Sequence, residues 1–282
     1  MTTDSLNVII YSKDRPAQLD LLLQSFAYSY NDSHTTTILY KASNSLFKQG
    51  YEKTIHKHQS ENILFVEELN FKNQTLNAIH SKNKYTMFLV DDIMFINKWS
   101  LNDEPFQLFR AKEDAILCVS LRLGHNTTYC YPISSNQSLP KFVKRYAWNW
   151  TEGTGDFGYP MSLDGNVYVT KSILEILNKI DVNKFVHPNL FESELNSYAQ
   201  AQKFTGNLAQ IMLCYEHSRL FNNPCNRVQN VIENKTESSY SPERLCEKFI
   251  NDHLDMEKML IKIKQMNLNA AHYPMELIFH ND

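Results

Sequence analysis

Glycine is scarce in this chain, seven residues in 282, and none of the seven falls in the loop after the first apolar run. That excludes the Gly-rich dinucleotide fingerprint and the phosphate loop, which both need glycine where a strand turns into a helix. Cysteine is scattered: Cys118, Cys130, Cys214, Cys225 and Cys246 form no C-x-x-C pair. A zinc ribbon and a disulfide framework are therefore disfavoured, and a reducing, cytoplasmic setting is expected. Basic charge is not in excess either. The formal net charge of -3 and a pI near 6.4 argue against a nucleic-acid groove. No apolar run approaches the ~20 residues of a membrane span. The polar start, Met1 to Asn7, lacks the basic and apolar regions of a signal peptide, so neither a leader nor a transmembrane segment is expected.

What is present is a βα rhythm. Residues 6–11, 36–40, 63–66 and 85–90 are short apolar runs rich in β-branched and aromatic residues, separated by segments with helical periodicity. In the first of these segments Pro16 opens a helix with Leu19, Leu22, Leu23 and Phe26 on one face. The alternation predicts a doubly wound, mostly parallel α/β sheet flanked by helices. Beyond residue 92 the rhythm loosens. A helix is expected over 105–111, a strand over 115–120, a short antiparallel excursion over 142–150, a strand over 166–169, helices over 171–179 and 188–202, and a last strand over 209–215. Residues 222–240 are polar, and two amphipathic helices over 242–266 make a C-terminal helical extension. Their apolar stripe (Leu254, Met259, Leu260, Ile263, Met266) suits packing on the chain's own domain, with a homo-oligomer contact or peripheral membrane association as the alternatives. The expected division is 1–240, with a nucleotide-binding half (1–100) and an acceptor half (101–240), followed by the extension 241–282.

The informative pair is Asp91-Asp92, delivered to the end of the strand Tyr85 to Val90. Ligands of open α/β sheets bind at the strands' carboxyl ends, and two adjacent acids call for a cation. A divalent Mg²⁺ or Mn²⁺ carrying phosphate oxygens suits hard carboxylate ligands. Ser12-Lys13-Asp14-Arg15-Pro16, the loop after the first strand, reaches the same edge.

Taken in order, the first strand, Ser-Lys-Asp-Arg-Pro, the amphipathic helix, three more strands and Val90-Asp91-Asp92 resemble the nucleotide-sugar glycosyltransferases of the GT-A fold, particularly the family 2-like group. The resemblance spans roughly residues 6–220 in motif order. It implies a metal-dependent transfer of a sugar from a nucleotide-diphosphate donor to a hydroxyl acceptor, such as a glycan, with inversion of configuration. By the resemblance Asp92 binds the metal, Asp91 approaches the ribose, and Ser12, Asp14 and Arg15 line the donor site. Further along, Asp164-Gly165-Asn166 leads through a strand and a helix to Phe191-Glu192-Ser193-Glu194-Leu195. In the family the corresponding acidic motif supplies the catalytic base. Glu192 occupies that position and Glu194 is second choice, with Phe191 a departure from the family's acid. The ordinary reading of both glutamates is a pair of acids in a helix's first turn, favouring its dipole. His217 and Arg219 match the segment where related enzymes return a His to the metal and a basic residue to the diphosphate. Arg122, Trp150, Asp156 and Asp164, in and around an aromatic-rich loop, are expected to contact sugar. Asn226-Arg227-Val228-Gln229 is read as part of a lid.

Two rivals remain at this level. A sugar nucleotidyltransferase would need a Gly-rich loop for a triphosphate, and Ser12 to Pro16 has no glycine. A non-catalytic sugar-binding or scaffold protein on a decayed transferase fold would not need the acids to be intact.

Overall fold

The computed structural model describes residues 5–79, 82–226 and 241–282. The strand β1 (Leu6–Lys13) is buried along all but its last residue because both faces of its sheet are covered. It is followed by α1 (Pro16–Ser29), β2 (His34–Lys41), α2 (Ser45–His58), β3 (Ile63–Glu67), α3 (Phe71–Ile79) and β4 (Tyr85–Val90), close to the predicted boundaries. Parallel pairing sets Ser12 opposite Tyr40 on one side of β1 and Tyr11 opposite Val90 on the other. The chain thus winds from β1 to β2 and β3 in one direction and places β4 on the opposite side. The winding direction therefore reverses between β1 and β4, and the carboxyl ends of strands at such a switch point are where open α/β sheets bind their ligands.

The rest of the chain comprises β5 (Ile93–Phe95), α4 (Glu104–Ala111), β6 (Ile116–Gly124), β7 (Tyr129–Cys130), β8 (Ser135–Asn136), β9 (Ala147–Asn149), β10 (Asn166–Val169), α5 (Thr170–Leu177), α6 (Pro188–Gln202), β11 (Ile211–Tyr215), β12 (Leu220–Asn222), α7 (Pro242–Asn251) and α8 (Met256–Gln265). The main sheet runs β3-β2-β1-β4-β10-β6-β11-β9. Within it β10 is antiparallel to both β4 and β6, and that reversal matters for the site. A strand running backwards begins where its neighbours end, so the residues before β10 lie on the edge carrying Asp91 and Asp92. The expected excursion over 142–150 becomes β9, an antiparallel edge strand on β11. Two short strands not predicted from the pattern, β5 and β12, pair with each other and put Asn222 opposite Ile93.

One expectation about α1 is too simple. Leu19, Leu22, Leu23 and Phe26 do pack on the sheet, but Ala17 and Leu21 on another face are covered by Leu245, Phe249 and Met259 of the C-terminal helices. A helix buried on several sides shows little amphipathic contrast. Asp20 is fully buried there, paired with Lys57 at 2.9 Å and His58 at 2.7 Å. Apolar residues of the C-terminal stripe, Leu254, Met259, Leu260 and Ile263, are likewise buried against the chain itself. Among the described residues no helix is long and apolar enough to cross a membrane.

The extension is fastened by one lysine. Lys53 Nζ on α2 donates to the carbonyls of Phe249 (2.6 Å), Ile250 (3.2 Å) and Asp252 (2.7 Å) at the end of α7, where a cation suits the helix dipole. Lys53→Met is expected to lower unfolding stability by about 1.5 kcal/mol, the scale of hydrogen bonds to a charged group that is partly solvated. Urea denaturation checks this. An unchanged midpoint would mean that water replaces the ammonium without loss.

Candidate functional site

Several segments converge on the carboxyl edge of the sheet. Arg15 caps the start of α1, and its Nη1 lies 3.1 Å from Asp91 Oδ1 and 3.3 Å from Asp92 Oδ2. The acids at the end of β4 are therefore answered by the chain's own guanidinium. Asp91 also accepts from the backbone N–H of Lys13 at 3.1 Å. Burial pushes its carboxyl up to about 6, against the opposing pull of Arg15 and with the help of Asp92. Asp92 Oδ1 accepts from Asn222 Nδ2 at 3.0 Å, and the same amide donates to Asp164 Oδ1 at 3.1 Å.

Asp164 is carried there by the turn before β10. Gly165 has φ +82°, and a Cβ on it would meet Leu220 Cδ2 at 2.5 Å, so both conformation and space favour glycine. Its N–H donates to Phe88 O at 2.9 Å, tying the turn to β4. Arg122, at the end of β6 and buried, donates from Nη1 to Asp164 at 3.1 Å and lies 3.8 Å from Asp156. Asp156 is held in turn by Gln137 at 3.1 Å.

Glu192 faces the same cluster from α6. The helix begins at Pro188 with His187 as its cap, and its first turn holds no acid. Glu192 lies one turn further in, which removes the first-turn dipole reading. Its Oε1 accepts from Leu163 N–H at 3.0 Å. Burial, reinforced by the charge of Asp164, pushes its carboxyl up to about 7, while the Leu163 N–H and Arg122 oppose the rise. Tyr159 stands beside it, its hydroxyl raised by burial and then by the charge of Glu192.

The tail after α8 supplies a member that the sequence pattern did not reveal. Residue 272 bridges to Asn222, and the Nδ1 of His272 is buried without a hydrogen-bond partner among the described residues. Burial, then Arg122, lowers its proton affinity, while Asp164, Asp156 and Asp92 pull the other way. Four charged groups of the site therefore act on this one ring.

Ser12 hydrogen-bonds Tyr51, Oγ to OH 2.7 Å, as well as the Asp91 carboxyl, and Asp14, at φ 55°, accepts from Ser43 N–H at 2.7 Å. They shape the loop that presents Arg15. His217 is exposed and faces a cavity of about 340 Å³ against α8 with Asn97, Asn126 and Leu260. Arg219 lies over the Tyr215 ring at 4.0 Å. Neither has a hydrogen bond or ion pair to the acid pair among the described contacts. Trp150 is 1% exposed, with its indole N–H on Ala209 O at 2.9 Å, so it packs in the core and offers no face to a sugar. Glu194 pairs with Lys184 at 3.6 Å on the outer side of α6. Of the lid segment, Asn226 is described and bonds Arg15; Arg227, Val228 and Gln229 lie outside the described residues, as does the rest of 227–240.

No protein-family model matches the chain. In sequence it is 28% identical, over 304 aligned residues, to the bifunctional glycosyltransferase pgtA of Dictyostelium discoideum, a match covering 95% of this chain and 38% of that protein. The chain thus spans well under half the length of this curated relative. Among solved structures it is similar to TarS of S. aureus, with a TM-score of 0.50 at 14% identity over 79% of this chain and 37% of that one. The chain is a mostly parallel α/β protein of GT-A-like fold and a sequence relative of a glycosyltransferase.

Proposed function

We propose that this chain is a metal-dependent glycosyltransferase that moves a sugar from a nucleotide-diphosphate donor to a hydroxyl acceptor, with inversion at the anomeric carbon. The observation that carries the reading is Glu192, whose carboxylate accepts from Leu163 N–H at 3.0 Å beside Asp164 and Arg122 and is raised by burial and Asp164 to about 7. A general base works best with a proton affinity near the operating pH. Glu192 takes the acceptor hydroxyl's proton as that oxygen attacks the sugar. Leu163 N–H holds one oxygen of the base at 3.0 Å, and Ser162 and Tyr159 also hydrogen-bond its carboxyl. Arg122 and Ser162 hold Asp164, which in this reading contacts the sugar, while Asp91 approaches the ribose.

Among the described residues no three His, Cys, Asp or Glu side chains enclose a metal by themselves. The donor set nevertheless fits a divalent ion shared with substrate. Asp92 and the unpartnered Nδ1 of His272 are the protein's candidates, in place of the exposed His217 that the resemblance implies, and such ions take one or two protein ligands plus phosphate oxygens. When bound, Mn²⁺ or Mg²⁺ would stabilise the charge that develops on the departing diphosphate. Five free, buried cysteines suit a cytoplasmic setting.

Thermal unfolding with UDP, GDP and CDP, each with and without Mn²⁺, tests the donor reading. A nucleotide at 100 times its dissociation constant adds about 2.7 kcal/mol. Asp92→Ala is expected to remove the Mn²⁺-dependent part of the shift. If no nucleotide moves the midpoint, the reading fails.

A further inference from the structure

The acid pair is already occupied by a cation that belongs to the chain. Arg15, Asp91 and Asp92 have side chains only 11%, 6% and 14% exposed, and one nitrogen, Nη1, serves both acids. Two carboxylates enclosed this far need compensation, and a weakly hydrated guanidinium provides it better than water would. The guanidinium is also held from behind. Nε donates to Asn226 Oδ1 at 3.2 Å and Nη2 donates to Asn226 O, while Asn226 Oδ1 is itself fixed by Gln18 at 2.9 Å. Arg15 is the cap residue of α1, and its N–H donates to Tyr51 OH at 3.3 Å. The backbone is thereby anchored, so a change of partner falls to the long side chain.

We propose that Arg15 is a built-in counter-cation of Asp91 and Asp92 that competes with the divalent metal, keeps metal affinity low in the empty protein, and releases the acids when a diphosphate draws the guanidinium away. The competition follows from Asp92. Its Oδ2 faces Arg15 and its Oδ1 faces Asn222, so an incoming metal must displace or crowd one of these donors. The guanidinium is the one whose charge repels the ion. A diphosphate offers Arg15 a bidentate anion in exchange, so nucleotide and metal promote each other's binding, and by linkage the promotion is reciprocal. The release step rests on the donor reading above; the competition rests on the ion-pair geometry alone.

The test measures Mn²⁺ binding to the full chain by loss of the free-ion paramagnetic resonance signal. Without nucleotide, Arg15→Met is expected to bind Mn²⁺ about tenfold tighter than wild type, within the range of ordinary coupling between sites. In wild type, UDP, GDP or CDP, whichever shifts the melting midpoint, should tighten Mn²⁺ binding, and Arg15→Met should lose most of that coupling. Arg15→Met is purified with Mn²⁺ in case the bare acids unfold it, and unfolding on chelation with recovery on Mn²⁺ would support the competition. Arg15→Lys keeps the charge on a stem without the fork and should tighten Mn²⁺ binding by a smaller factor. Unchanged or weaker Mn²⁺ binding in Arg15→Lys and in any folded Arg15→Met overturns the inference, even if nucleotides bind. Tighter Mn²⁺ binding with no nucleotide shift would instead sink the donor reading and leave the competition standing.

Discussion

Glu192→Gln is expected to reduce the transfer rate by about 10²–10⁴-fold, the usual contribution of a positioned general base, while leaving nucleotide-induced stabilisation as in wild type. The amide keeps an oxygen for Leu163 N–H but cannot accept the acceptor's proton. Because the proton moves only as the new bond forms, the loss belongs to kcat with little change in donor affinity. In wild type the rate should rise with pH through about 7, as the carboxyl raised by burial ionises. In the Gln variant the residual rate should be flat there. A fully active variant would remove Glu192 as the base, and Glu194, ion-paired on the outer side of the helix, is poorly placed to replace it.

The same substitution has a stability signature that a glutamate serving only the helix dipole would not give. In the folded protein the Glu192 carboxyl is held above its ordinary value near 4.5. Its contribution is therefore fully present below pH ~4.5 and is lost as pH rises through about 7. Above pH 7 wild type carries an ionised, enclosed carboxylate that the Gln variant lacks. The variant should melt several degrees above wild type at pH 8 and close to it at pH 5. A glutamate that only favoured the helix dipole would give a small loss on substitution at both pH values. A gain of stability with a loss of turnover is the trade expected at a strained site.

The parts of the fold that sequence makes legible are those written locally. Each of the first four strands is a short apolar run closed by a turn signal and followed by a helix, so β1 to β4, and with them Arg15, Asp91 and Asp92, fall where the pattern puts them. Pairing partners are not written locally. Nothing in Asn166 to Val169 says that this strand runs backwards between β4 and β6, although that insertion carries Asp164 to the acids. The pairing of β12 with β5 joins residues more than 120 positions apart, and three-residue strands leave almost no periodicity. His217 follows a strand and so matches a local pattern; His272 lies in an irregular tail, and its backbone bridge to Asn222 and the charges of Arg122 and the acids around it distinguish it. Trp150 shows the converse failure. Aromatic content marks both sugar platforms and cores, and the partner of the indole N–H decides between them.

Arg122→Met should have the largest effect on stability. Arg122 is 3% exposed, and its guanidinium is shared by Asp164 and Asp156. Removing one partner of a buried ion pair leaves uncompensated charge and costs about 3–5 kcal/mol; here two acids lose the same partner, which puts the expected loss toward the upper part of that range. Urea unfolding at pH 7 reads it directly. Activity supplies the second readout. Arg122 opposes the burial-driven rise of Glu192, so in protein that remains folded the rise of rate with pH should move to higher pH, while the rate at high pH falls less than in Glu192→Gln. Arg122→Lys, which keeps a charge but lacks the fork that spans two carboxylates, should recover part of the stability and return the pH profile toward wild type. A Met variant as stable as wild type, with an unmoved profile, would mean that water or a cation enters the cluster in place of the guanidinium, and that Arg122 does not position the base.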